Sequence, residues 1–178
     1  MKLHLPLRRS GKKAAFDKKL YHGSNTKVKK PLVNKSRLPS DMGNGFYTTD
    51  DYNYAEYMGE RYTAAGEESI INRYTFDEER ALKEGVSIKT FEDPMEWTKF
   101  VIACRVHNLI PLQWAIIVGE SADGVLEDVV KTYCKMRRDG NVDFEKLYRM
   151  METHNTKKQI VFKDQDVLNE YLKYDEDK

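Results

Sequence analysis

Three observations predict an α+β fold for this chain. Ile70–Phe76 alternates apolar and polar residues with the period of a half-buried strand. Trp97, Phe100, Val101 and Cys104 fall at i, i+3, i+4 and i+7, an apolar stripe of helical period. Strand-like and helix-like segments alternate irregularly along the chain, which suits strands with helices gathered at the edges.

In chain order, Lys19–His22 is a short apolar strand, and the stretch from Asn25 to Met42, with Pro31 and Pro39, has no period and is a loop. Gly45–Thr49 is a second strand, followed by a helix that Asp50 or Asp51 caps and that runs to about Tyr62. After Ile70–Phe76, Asp77–Lys83 is a short charged helix, and Val86–Phe91 alternates with Val86, Ile88 and Thr90 on one face. Pro94 stands near the start of the next helix, where its missing N–H has no intrahelical partner to lose. Trp114–Gly119 is continuously apolar and suits a central strand buried on both faces. Asp123-Gly124 opens a long helix with Val125, Val129, Tyr133 and Met136 on one side, and Gly140 ends it. Asp143 starts a helix carrying Phe144, Leu147, Tyr148 and Met151. Gln159–Lys163 reads as the last strand, and Val167, Leu168, Tyr171 and Leu172 line the last helix.

The 178 residues fit one domain with tails. Residues 1–18 form a basic arm with Lys2, Arg8, Arg9, Lys12, Lys13 and Lys18 against Asp17; residues 19–174 are the domain and 175–178 a small acidic tail. Thirty basic residues balance 29 acidic ones, which argues against a protein built to coat nucleic acid or an acidic membrane. No segment approaches a spanning length, and the stretch from Met1 to Leu7 is too short and interrupted for a signal segment, so a cytoplasmic location is expected. Cys104 and Cys134 read as buried thiols in a reducing compartment, with a disulfide as the lesser alternative. His4, His107 and His154 are scattered, and no metal is expected.

Chemistry concentrates in Leu20-Tyr21-His22-Gly23-Ser24-Asn25 and Gly43-Asn44-Gly45-Phe46-Tyr47-Thr48-Thr49. Glycine has no Cβ, so both places let a ligand come against the backbone. His22, at a strand end, suits a ribose hydroxyl while Gly23 pairs with a ligand amide; a structural histidine capping a turn is the alternative. Tyr54, Tyr57 and Met58 share a helix face that packs as core, or Tyr57 converges with Tyr47 on a planar ring, worth about 0.5–1.5 kcal/mol per contact. In Gly119-Glu120-Ser121-Ala122-Asp123-Gly124 the second glycine is one residue too far for a nucleophile elbow; Ser121 or Asp123 caps a strand-to-helix turn instead. Gly43-x-Gly45 lacks the third glycine and the setting of a dinucleotide fingerprint.

Leu20-Tyr21-His22-Gly23-Ser24, Met42-Gly43-Asn44-Gly45-Phe46-Tyr47 and Ala55-Glu56-Tyr57 resemble, in that order, the histidine and tyrosine motifs of ADP-ribosyltransferases of the diphtheria-toxin and poly(ADP-ribose) polymerase type. From about Lys19 to Tyr174 the chain is similar to a bacterial family with that fold, often encoded beside a small partner in a toxin–antitoxin-like arrangement. Glu96-Trp97-x-x-Phe100-Val101, Ile116-Ile117-Val118-Gly119 with Ala122-Asp123, and Gln159-Ile160-Val161-Phe162 carry that closer likeness.

The resemblance implies a split β-sandwich with peripheral helices and NAD, as substrate, in its central cleft. It puts His22 on the adenosine-side ribose, Gly23 with Ser24 beside it at the nicotinamide amide, and Tyr47 and Tyr57 against the nicotinamide ring. A glutamate usually stands at the family's third position, where a carboxylate stabilises the oxocarbenium-like cation formed as the C–N bond breaks. Here the match gives Gln159, while aligning on Ile160-Val161-Phe162 gives Lys158. The implied function is a mono-ADP-ribosyltransferase, with His22, Tyr47 and Gln159 as its catalytic set. It would act as a toxin or defence effector on a protein or nucleic-acid acceptor, with a small antitoxin as partner. The alternatives are a non-catalytic NAD-binding or protein-interaction module and an NAD-dependent RNA 2′-phosphotransferase; the balanced charge counts against the latter.

Overall fold

The computed structural model describes residues 19–35, 40–109, 111–122, 126–151 and 157–176. The expected basic arm (1–18) lies outside these residues, as do the proposed helix start at Asp123-Gly124 and Val125. The fold is α+β, with two sheets and six helices among the described residues. In the first sheet, β1 (Lys19–Ser24) and β7 (Leu172–Tyr174) flank β3 (Ile70–Phe76), both antiparallel to it. The second runs β2 (Phe46–Thr48), β6 (Lys158–Phe162), β5 (Ile116–Glu120), β4 (Ile88–Thr90), antiparallel except for β4 beside β5. The helices are α1 (Tyr52–Tyr62), α2 (Glu78–Lys83), α3 (Pro94–His107), α4 (Leu126–Arg138), α5 (Phe144–Met151) and α6 (Gln165–Tyr171).

Strand alternation builds the core between the sheets. Leu20, Tyr74, Phe76 and Leu172 of the first sheet pack with Phe46, Ile116, Val118, Ile160 and Phe162 of the second, and Leu168 and Tyr171 of α6 join them. The other face of β5 and β6 buries Ile117 and Val161 against Met42, with Phe100 of α3 beside them. A separate cluster joins Trp97, Val101 and Ile102 of α3 to Val129, Tyr133, Leu147 and Met151 of α4 and α5. Both cysteines are free thiols.

Asp51, one of the two candidates, caps α1 by accepting from the Tyr54 N–H. Val86–Phe91 contracts to the three residues of β4, and the expected last strand is not the last. Leu172 was expected on the α6 stripe. The helix stops at Tyr171, whose carbonyl accepts from Asp77 N–H, and Leu172 turns to φ −108°, ψ 113° and pairs opposite Phe76. Three residues are too few for alternation to show in a sequence. The expected acidic tail is also partly structural: Asp175 N–H donates to Arg73 O at 2.9 Å, and its carboxylate accepts from Thr75 Oγ1 and Lys19 Nζ, each at 2.8 Å.

Helix α1 lies directly on β1. A Cβ on Gly23 would stand 1.9 Å from Ala55 O and 2.5 Å from Gly59 N. The same holds at Gly45, where a Cβ would meet Val161 Cγ1 at 2.6 Å and Phe162 O at 2.7 Å. The expectation that these glycines open the backbone to a ligand on the Cβ side is therefore corrected: close packing of α1 and β6 fills that space. Gly23→Ala is expected to destabilise the protein by about 3 kcal/mol, because backbone rather than a movable side chain is in the way. A lowered urea midpoint at unchanged m measures it.

Candidate functional site

The edge strands of the two sheets, β1 and β2, meet at one bridge among the described residues. Tyr21 N–H donates to Thr49 O at 2.8 Å and Thr49 N–H to Tyr21 O at 3.0 Å. Beyond it the strands part, and a cavity of about 460 Å³ opens between them, walled by α1 and the 40–45 segment. Small-molecule sites usually enclose roughly 300–1,000 Å³, so the size is that of a ligand pocket.

His22 lies on the Leu20 side of β1, with its ring 4.7 Å from that of Phe46. Its Nδ1 is 2.8 Å from Tyr47 O. A carbonyl only accepts, so Nδ1 carries the proton and Nε2 of the neutral ring is an acceptor. Burial pushes the imidazole below its ordinary value, against a smaller opposing effect of the Tyr47 bond, and so favours that neutral form.

Backbone direction alternates along a strand. Tyr21 spends its N–H and C=O on Thr49, away from β3, so those of Gly23, two residues on, point the same way, past the end of the bridge at the cavity. The turn after β1 is tied down by Asn72 of β3, fully buried. Its Oδ1 accepts from Val28 N–H at 2.6 Å, and its Nδ2 donates to Thr26 O at 3.0 Å and His22 O at 3.3 Å. Ser24 also lines the cavity, and its Oγ accepts from Thr26 N–H at 3.3 Å.

Gln159 is buried in the cavity wall. Its Nε2 donates to Tyr54 Oη at 3.0 Å, and Tyr54 Oη donates to Ser121 Oγ at 2.7 Å. Its Oε1 has no partner among the described residues. Buried acceptors are rarely left so. Lys158 does not line the cavity and pairs with Asp50, so of the two alignments only Gln159 brings its residue to the site. Tyr47 is opposite Val161 on β6, which puts it on the same sheet face as Gln159. The Tyr47 hydroxyl donates to Gly43 O at 2.7 Å and accepts from Met42 N–H at 3.1 Å, and burial holds its phenol well above the usual range.

The 40–45 wall is braced from behind. Lys163 Nζ donates to Met42 O at 2.6 Å, and burial pushes that ammonium down to about 8. Asp41 accepts from Arg105 Nε at 3.0 Å and from Ala122 N–H at 3.0 Å. Asp41 is the one carboxylate among the described cavity-lining residues. Nowhere among the described residues do three His, Cys, Asp or Glu side chains converge on a metal position.

Tyr57 is not brought to the cavity. It is 52% exposed, with its ring against the outer side of Tyr54 at 6.3 Å. Ala55 and Gly59 face β1, and at about 100° per residue Tyr57 points nearly opposite to Ala55. Tyr54, Met58 and Tyr62 line the cavity instead, spaced by i+4 on one flank. Sequence reasoning placed Tyr54 on a core stripe and Ser121 at a cap. It missed Asn72, Asp41 and Arg105, which carry no local motif.

The fold and the site together define a small α+β domain with a ligand-sized cleft where its two sheets part. The chain belongs to the DUF3990 family, described as proteins of unknown function; the family model matches residues 18–174. No curated protein matches the chain. Nor does any solved structure. Among the described residues no helix is long and apolar enough to cross a membrane.

Two outcomes test the site's construction. His22 binds protons less readily when folded, so stability is lost as pH falls through 6.5 towards the lowered folded value. His22→Gln is expected to flatten the fall of Tm between about pH 7 and 5 relative to wild type. Asn72→Ala strands the Val28 N–H and is expected to cost about 2 kcal/mol in chemical unfolding, with faster hydrogen exchange at Val28.

Proposed function

We propose that the cavity binds NAD and that the protein is an ADP-ribosyltransferase-like domain with the split β-sandwich of that fold. One observation carries the reading. A neutral histidine with Nδ1 committed to Tyr47 O lines the same ligand-sized cavity as Gln159, the residue at the third motif position. An imidazole acceptor, His22 Nε2, suits a ligand hydroxyl, and the outward N–H and C=O of Gly23 suit a carboxamide. His22 Nε2 would accept from the adenosine-side ribose, Gly23 would hold the nicotinamide amide, and Tyr47 would flank the nicotinamide. Tyr54, Met58 and Tyr62 take the wall position expected of Tyr57.

In the transfer, the C–N bond between nicotinamide and ribose breaks, its electron pair leaving with nicotinamide. A nucleophile of the acceptor bonds to the ribose carbon and gives up its proton. The toxin-like role, the macromolecular acceptor and a small antitoxin partner belong to the same proposal and rest on the motif resemblance.

A specific observation favours a second reading, a domain that binds NAD without cleaving it. Gln159 is neutral, and the one carboxylate among the described lining residues, Asp41, is committed to Arg105 and Ala122 N–H. Calorimetry with NAD and label transfer from NAD in cell lysate separate the two. Binding that drops at least tenfold in His22→Ala supports the site; absence of binding removes both readings. Gln159→Glu supplies the carboxylate and is expected to raise nicotinamide release at least tenfold. Label transfer by wild type decides for the enzyme, and its absence alongside tight binding decides for the binding module.

A further inference from the structure

The segment after β1 gives the cavity a rim that the function proposed above does not use. From Val28 to Val33 its residues divide between the protein and the opening. Val28 and Val33 pack on the core between the sheets, and Pro31 is buried. The backbone is tied at the same three residues. Val28 O accepts from Tyr74 Oη at 2.7 Å, Pro31 O accepts from Gln165 Nε2 at 3.1 Å, and Val33 N–H donates to Gln165 Oε1 at 3.1 Å. Pro31 also biases Lys30 towards extended backbone. So held, the segment presents Lys30 and Leu32 to the cavity.

Charge and shape together define what the rim can hold. Among the described residues, three with charged side chains line the cavity: Lys30, Asp41 and Arg105. Asp41 and Arg105 pair with each other. Lys29 is drawn away to Glu176 at 2.9 Å, whereas Lys30 has no ion pair among the described residues. The uncompensated charge of the lining is therefore one ammonium, which gains by meeting a phosphate oxygen. The wall that α1 supplies runs from Tyr54, at Gln159, to Tyr62, two turns and about 12 Å further on. Leu32 and Tyr62 are 45% and 42% exposed while lining the cavity. Large apolar side chains left to water at an opening gain by covering a flat ring.

We propose that this rim is a subsite for a nucleoside diphosphate, with Lys30 on the phosphates and Leu32 and Tyr62 against the base. It engages neither His22, Gly23, Tyr47 nor Gln159, so it extends the NAD reading without depending on it. ADP contains everything that the rim reads, and attached nicotinamide adds nothing there. Nucleoside diphosphates are therefore ligands of this domain in their own right, and on the NAD reading they compete with NAD for the cavity.

Calorimetry on the full chain with ADP, adenosine and NAD tests the proposal. Wild type is expected to bind ADP at least tenfold more tightly than adenosine, the size of effect that a charge-assisted hydrogen bond supplies, and the preference is expected to shrink as salt is raised. In Lys30→Gln the preference is expected to fall to within twofold, with adenosine affinity unchanged. In Leu32→Ser, and separately in Tyr62→Ser, affinities for ADP and adenosine are expected to fall together, about fivefold. Equal binding of ADP and adenosine by wild type, or a preference that survives in Lys30→Gln, overturns the role of Lys30. Unchanged affinities in both serine variants overturn the base contacts. Binding of ADP without binding of NAD overturns the NAD reading and leaves the subsite standing. Binding of NAD that ADP does not displace overturns the subsite and leaves the NAD reading standing. Binding of neither overturns both.

Discussion

The reciprocal pair of hydrogen bonds between Tyr21 and Thr49 is the constraint from which the site follows. Each sheet presents an edge, and an edge strand offers unpaired N–H and C=O groups. Among the described residues one bridge joins the two edges, so the strands are pinned at one point and free to part beyond it. Pinning brings Tyr47 O within reach of the His22 ring. Parting leaves the Gly23 backbone groups facing an opening. A longer ladder between β1 and β2 would use those groups up and close the cavity.

The bridge alone would leave the opening shapeless, and its walls are held by packing that tolerates little variation. Helix α1 reaches β1 through Gly23 and Gly59, where backbone touches backbone. That contact fixes the rotation of α1 and with it which aromatic residues face inward. Tyr54 arrives at Gln159 because of it, and Tyr57 faces away for the same reason. On the other side, Lys163, Arg105 and Ala122 hold Asp41 and Met42 through backbone and charge.

Much of the fold was legible because its elements are long or strongly periodic. Ile70–Phe76 was bounded correctly by alternation alone, and Pro94 marked the start of α3. Elements of three residues were not legible: β7 was absorbed into α6, and β4 was read too long. The site divides in the same way. His22, Gly23, Ser24, Tyr47 and Gln159 were singled out in the sequence, and all line the cavity. Asn72, Asp41 and Arg105 act through contacts far apart in the chain, and nothing local marks them. Tyr57 was placed wrongly because the rotation of a helix about its axis is set by what it packs on. Its own stripe, with tyrosines at 52, 54, 57 and 62, fits more than one rotation.

On the NAD reading proposed above, charge decides how far the chemistry goes. Two unit charges about 4 Å apart at an effective dielectric near 20 interact by about 4 kcal/mol. A neutral amide in place of a carboxylate forgoes stabilisation of that order at a developing cation, roughly a thousandfold in rate. Nothing else among the described lining residues offsets it, since the Asp41 charge is already matched by Arg105. What the cavity offers in its place is a neutral acceptor, His22 Nε2, which adds no charge. On that reading, a site so built favours holding NAD over cleaving it. Any transfer would then depend on an acceptor that is itself a strong nucleophile and is already positioned when the C–N bond begins to open.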